Sequence, residues 1–156
     1  MDATDNARNQ AQAQLDSIKE MMAAYNCDYD RLTELRDVEE LTDEERAELA
    51  ELEAEAGDCT DQDYAEQRIQ EDPLSVEIRT GWYTPGSEPE AEEFRILLCT
   101  GGPAVQIRGE LNQYNEPERA WLEYQDWGTP WTEFFTMDED NEALLEYCRR
   151  FYFGEV

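Results

Sequence analysis

Glu40, Glu44, Glu48, Glu51 and Glu55 recur at spacings of three or four residues, with Asp43, Glu45 and Glu53 forming a flanking row. On an α-helix that spacing stacks side chains along one face, about 5 to 6 Å apart. Like charges so stacked cost a few tenths of a kcal/mol per neighbour, and an ordinary soluble helix answers them with Lys or Arg four residues on. Here Arg46 is almost alone. The chemistry such a row offers is attraction of a cationic surface.

The other constellations point to less. Paired carboxylates do acid–base work only where burial raises the pKa of one while its partner stays ionised, and most of these side chains belong to solvated faces. Asp138, Glu139, Asp140, Asn141 and Glu142 resemble the start of a calcium loop, but the glycine at loop position six is missing and acidic residues suit the first turn of a helix. Gly101 and Gly102 are followed by a strand pattern with no GK[ST] ending, so they read as a hairpin turn instead of a phosphate cradle. Cys27, Cys59, Cys99 and Cys148 form no CxxC pair, and there is no histidine to complete a zinc site or serve as base for a nucleophile. The expectation is a non-enzyme with no catalytic residue, no cofactor and no metal. Trp127, Gly128, Thr129, Pro130, Trp131, Phe134 and Phe135 leave two readings open: a core plug between strand and helix, or, through Trp127 and Trp131, a rigid anchor for a partner.

The elements that position these residues follow from periodicity. A helix is expected from about 5 to 25, with Leu15, Ile18, Met21 and Met22 on one face, and another from about 28 to 40 carrying Leu32, Leu35 and Val38. Thr42 stands three residues before Glu45, a capping box that opens a helix over 43–56, closed by Gly57, so the two form an αα-hairpin. A short fourth helix is expected between the cap Thr60 and Asp72, because the residue before Pro73 is pushed out of helical geometry. From there the period becomes two. Alternation over 74–82, an apolar run over 94–99, and alternation over 104–111 and 119–126 predict four strands, and the short links between them make neighbours antiparallel. Thr136 and Glu139 predict a second capping box opening a final helix with Leu144, Leu145, Cys148 and Phe151 on one face. The expected architecture is α+β: an acidic helical region over 1–72, then a four-stranded antiparallel sheet plus C-terminal helix over 73–156.

Charge bounds the function. The 156 residues hold 40 Asp and Glu against 12 Lys and Arg, a net −28, and Lys19 is the one lysine. Up to Asp72 there are 23 acidic and 6 basic residues, and from Pro73 on 17 and 6. A small domain stays dispersed with a net charge of about 2 to 8, so solubility does not account for the excess. Aromatic residues at 11% are too many for a disordered acidic tail. A field of this sign rejects nucleic acid and anionic lipid and attracts basic protein. Duplex DNA carries one charge per about 1.7 Å, so 28 charges correspond to about 14 base pairs or about 48 Å, against a diameter of about 39 Å for a compact chain of this length. Without an 18-residue apolar run or a signal-like start at Met1, the expectation is a soluble cytoplasmic protein that binds no membrane.

Residues about 70–156 carry specific phrases: Ile96-Leu97-Leu98-Cys99-Thr100-Gly101-Gly102-Pro103-Ala104-Val105, Tyr124-Gln125-Asp126-Trp127-Gly128-Thr129-Pro130-Trp131, and Phe151-Tyr152-Phe153-Gly154-Glu155. This half resembles a family of small phage and mobile-element proteins, which implies a source and carries over no functional residue. By charge, size and lack of catalytic groups the chain is also similar in physical type to the DNA-mimic anti-CRISPR and antirestriction proteins. The expectation is a phage-encoded inhibitor acting in the host cytoplasm. Its partner would be a basic nucleic-acid-binding host protein, a CRISPR effector or restriction enzyme, with no direct binding of nucleic acid and with self-association into a homodimer left open. The alternatives are an acidic adaptor or structural phage protein, or a salt-adapted protein whose charge reflects its medium.

Overall fold

The computed structural model describes residues 3–154, so Glu155 of the last phrase above lies outside the described residues. The order is α1 (Ala3–Asn26), α2 (Tyr29–Arg36), α3 (Asp43–Ala56), α4 (Gln62–Glu71), β1 (Ser75–Thr80), β2 (Ala91–Cys99), β3 (Ala104–Leu111), β4 (Pro117–Gln125), β5 (Thr132–Phe134) and α5 (Asp138–Cys148). The fold is α+β, with N-terminal helices, an antiparallel sheet and a C-terminal helix. The sheet has five strands in the order β1-β2-β3-β4-β5 where four were expected. The fifth is three residues long, too short to show alternation, and exists because Leu122, Glu123 and Tyr124 of β4 pair with Phe134, Glu133 and Thr132.

The chain divides into two compact units: residues up to Lys19 together with those from Asp72 on, and Glu20–Glu71. The boundary near Asp72 agrees with the change of period. The first part of α1, expected with the acidic helices, groups instead with the sheet. Ala7, Ala11, Leu15 and Ile18 make a buried stripe at helical spacing, and two of its four members are alanines that a count of large apolar residues passes over. Lys19 closes this stretch with an ion pair to Asp140 of α5 at 3.0 Å.

In the sheet unit one face is core. Phe94, Ile96 and Leu98 of β2, Val105 and Ile107 of β3, and Leu122 of β4 are buried on it, and the register places Ile96 opposite Ile107 and Ile107 opposite Leu122. Gly109 lies opposite both Phe94 and Ala120. A Cβ there would come within 2.2 Å of the Phe94 ring and 2.3 Å of the Arg119 carbonyl oxygen, so the ring occupies the space a side chain would take. Phe153 then stacks on Phe94 with centroids 4.8 Å apart, tying the C-terminal segment to the sheet. On α5, Leu144, Tyr147 and Cys148 are fully buried, and the Tyr147 hydroxyl donates to Asp72 Oδ2 at 2.7 Å.

Two caps differ from expectation. α4 is opened by Asp61, whose Oδ1 accepts from the Tyr64 amide at 2.8 Å, and Thr60 lies one residue outside. Met137 is the N-cap of α5 with no side-chain cap bond, and Thr136, expected as the cap, hydrogen-bonds Asn141 instead. With Thr136 one residue too early, its hydroxyl reaches the side chain of Asn141 and not the third backbone amide.

Gly109→Ala should lower stability by about 2 kcal/mol or more, because the Arg119 carbonyl cannot move aside, and calorimetric melting checks this. Alkali should act through Tyr147. Burial, followed by the Asp72 charge and hydrogen bond, raises its pKa above the ordinary value of 10.0. The stabilisation from the neutral phenol is therefore complete below about pH 10 and is lost as pH rises past the unfolded-state pKa. Urea unfolding of the parent should show that loss, and Tyr147→Phe should shrink it.

Candidate functional site

α3 carries seven of the candidate carboxyl groups, and its cap is as expected. The Thr42 hydroxyl accepts from the Glu45 amide at 3.1 Å, and Glu45 Oε1 accepts from the Thr42 amide at 3.0 Å. Glu45 is thereby held below the usual carboxylate range, chiefly by the Thr42 backbone hydrogen bond. Gly57, at φ 57°, closes the helix in a conformation that L side chains rarely adopt. Asp28 caps α2 by accepting from the Arg31 amide at 3.0 Å. α2 ends at Arg36, earlier than expected, so Val38, Glu39 and Glu40 lie in the connection. Glu40 therefore starts the acidic row in sequence but does not stand on the helix.

Across the hairpin the arginines of α2 turn toward α3. Arg31 grips Glu48 with two hydrogen bonds, Nε to Oε1 at 2.8 Å and Nη2 to Oε2 at 3.1 Å. Arg36 Nε meets Glu53 Oε1 at 3.3 Å. Glu48 is pulled below its ordinary pKa by the Arg31 hydrogen bond, and the Arg31 pKa rises in return. Leu32 and Ala56 are buried beneath these pairs with Cys27, and Leu49 and Leu52 pack against them. Two of the eight acidic candidates, Glu48 of the main row and Glu53 of the flanking row, thus clasp arginines of α2. Glu44 and Glu51, two helical turns apart, stay exposed with no ion pair among the described residues, as does Glu40. Asp43 is exposed too, with Arg46 at 3.6 Å, and Glu55 is half-buried.

The charge left over is large. Glu20–Glu71 holds 19 acidic against 4 basic residues, a net −15 in a third of the chain. All four cations are engaged: Arg31 and Arg36 with α3, Arg46 with Asp43, and Arg68 with the Cys59 sulfur at 3.7 Å. α3 alone has seven carboxylates and one arginine over 14 residues, about 21 Å of axis. That is one net charge per about 3.5 Å, close to the 3.4 Å spacing of a single nucleic-acid strand, and per about 5 Å once Arg31 and Arg36 are counted.

The chain matches no family model, no curated protein and no solved structure.

Trp127 and Trp131 are not on the acidic hairpin, and they part company. Trp127 is 82% exposed, which overturns the core-plug reading for it, while Trp131 is half-buried. A tight loop displays Trp127: Asp126 Oδ1 accepts from the Trp127 amide at 2.7 Å, and the Thr129 hydroxyl donates to the Asp126 carbonyl at 2.9 Å. One edge of the indole rests on Gly102, where a Cβ would come within 2.0 Å of Trp127 Cδ1. Trp82, wholly exposed beside the half-exposed Tyr83, was not singled out from sequence. The signal that could have found it is its place at the end of the β1 alternation, just before Pro85 and Gly86.

The remaining candidates are placed as follows. Asp138, Glu139 and Asp140 fall in the first turn of α5. Among the described residues no group of three or more His, Cys, Asp or Glu side chains is arranged to hold a metal ion. All four cysteines are free, and burial raises the thiol pKa of Cys27 and Cys148. No described helix is long and apolar enough to cross a membrane.

Carboxyl NMR titration should find Glu45 and Glu48 below the ordinary glutamate value of about 4.3. Arg31→Met should return Glu48 toward that value and leave Glu45 low. Because both folded-state values are depressed, their contribution to stability is present above the ordinary pKa and fades as pH falls through the lowered ones.

Proposed function

We propose that the protein is a non-enzymatic acidic inhibitor that occupies the nucleic-acid-binding surface of a basic protein, with the α2–α3 hairpin as the working face. The observation that carries the reading is the disposition of arginine in that hairpin. Arg31 and Arg36 are turned onto Glu48 and Glu53 of α3, while Glu40, Glu44 and Glu51 are exposed with no ion pair among the described residues. A surface evolved only for solubility has no use for a helix that still carries one net charge per about 5 Å of axis after its arginine partners are counted. A groove lined with Lys and Arg that normally holds phosphates does.

The capping box and the Arg31–Glu48 clasp fix Glu44 and Glu51 on one helix, with Glu40 in the connection before it, so little backbone freedom is lost when the helix meets a partner. Long-range attraction then speeds encounter, and rising salt screens it. The proposed partners are host defence proteins that handle nucleic acid, CRISPR effectors or restriction enzymes, and the proposed source is a phage or mobile element acting in the host cytoplasm. Trp127, rigid and exposed, would serve as an apolar anchor outside the charged contact.

The test is competition. Bound to a CRISPR effector or restriction enzyme, the protein should be displaced by duplex DNA, while showing no mobility shift with DNA alone. Glu40→Gln, Glu44→Gln and Glu51→Gln together leave both clasps intact and should keep the melting temperature or raise it slightly. Affinity should nevertheless fall about tenfold at physiological salt, mostly through the association rate. Direct DNA binding, or an unchanged affinity in the triple variant with loss in Trp127→Ala, would remove the hairpin from the mechanism. Loss of the folded state outside molar salt would instead make the charge an adaptation to the medium.

A further inference from the structure

β1 is a margin of the sheet, paired with β2 on one side only. Edge strands present unpaired amides and carbonyls, and native proteins blunt them with charged side chains, proline, bulges or a covering element; the charges on this edge, Glu77 and Arg79, are of opposite sign and so repel only a wrongly registered copy. The irregularity here lies on β2, where the register steps from Arg79 opposite Glu93 to Thr80 opposite Ala91, and β1 runs regularly from Ser75 to Arg79. Apolar side chains are exposed along this margin: Val76 in the strand is 38% exposed, Leu74 just before it 59%, and Trp82 two residues beyond its end 105%. On the other face Glu77 takes Arg95 at 2.9 Å, and Arg79 takes Glu93 at 2.9 Å. Glu93 in turn takes Arg108 at 3.6 Å.

The sequence of this margin, Leu74-Ser75-Val76-Glu77-Ile78-Arg79-Thr80-Gly81-Trp82, is chemically symmetric about Ile78. We propose that a second copy of the chain adds to β1, antiparallel, about a two-fold axis through Ile78, to make one continuous ten-stranded sheet. Opposed residues in an antiparallel pair share a face, about 4.5 to 5.5 Å apart between Cβ atoms. On the core side Ile78 then meets Ile78 and Val76 meets Thr80, and Leu74 and Trp82, which flank the two ends of the strand, come to the same two ends of the junction. On the other face Glu77 of each copy meets Arg79 of the other. The existing ion pairs extend across the junction as one alternating row, Arg108, Glu93 and Arg79 of one copy followed by Glu77 and Arg95 of the other. Sliding the axis one residue either way sets Glu77 against Glu77 or Arg79 against Arg79, so charge selects a single register. Such an interface is isologous and closes on itself, which blocks further growth at this edge.

The dimer has an unusual salt dependence. Each copy carries a net −28, and at low ionic strength the copies repel over tens of ångströms. Added salt screens that repulsion first, whereas the short contacts along β1 are screened less. Self-association should therefore tighten with salt, opposite in sign to capture of a basic partner.

Sedimentation equilibrium of the full chain tests this. The average mass should rise from 18.2 kDa toward twice that value as the chain is concentrated from about 10 µM to about 1 mM, more steeply at about 0.3 M than at about 0.05 M salt. Glu77→Arg and Arg79→Glu, each shown folded by melting and far-UV circular dichroism, should each weaken self-association at least tenfold by placing like charges opposite. Their equimolar mixture should associate as tightly as the parent, because pairing one variant with the other again sets an arginine against a glutamate at both charged positions of the junction. A parent that stays at 18.2 kDa in about 0.3 M salt and about 1 mM chain overturns the proposal. So do single variants that associate like the parent, or a mixture that stays monomeric.

Discussion

The scarcity of positive charge governs this molecule. With 12 cations for 40 carboxylates, neutralisation everywhere is out of reach, and what matters is where the arginines are placed. Four of them, Arg79, Arg95, Arg108 and Arg119, lie one to a strand on the face of the sheet away from the core, each within 4 Å of a glutamate carboxylate. There, cross-strand neighbours are so close that an uncompensated glutamate ladder would oppose pairing. Two more clasp the helical hairpin. The acidic excess is left to helix surfaces, where each repulsion costs only a few tenths of a kcal/mol, and to loops such as those holding Glu39, Glu40, Glu88 and Glu90.

The hairpin and the sheet treat charge in opposite fashion. The sheet face is nearly balanced, with Gln106 and Trp121 both donating to Glu123 and Arg119 lying 5.2 Å from the Trp121 ring. The hairpin keeps only enough compensation to hold α2 on α3 and leaves the rest of its carboxylates to solvent.

The core is held by close approach more than by bulk. Phe94 fills the space over Gly109, Phe153 covers Phe94, and Tyr147 reaches Asp72 across 75 residues of sequence. The same device displays Trp127, whose indole rests on Gly102. In both places the absence of a side chain on one residue positions an aromatic ring on another.

The α+β class, the antiparallel order, the capping box at Thr42 and the change of character near Asp72 were legible in the sequence alone. Each is decided by local chemistry: period, turn residues, a hydroxyl and a carboxylate three residues apart. The acidic row was legible as composition but not as a face. Only the tertiary structure separated Glu48 and Glu53, which clasp arginines seventeen residues away, from Glu44 and Glu51, which do not, because an ion pair between helices depends on how the hairpin folds back. It likewise assigned Ala7 and Ala11 to the sheet unit, formed β5 from three residues with no pattern of their own, and turned Trp127 outward. Periodicity says which side chains share a face, and what that face meets is settled only when the chain is packed.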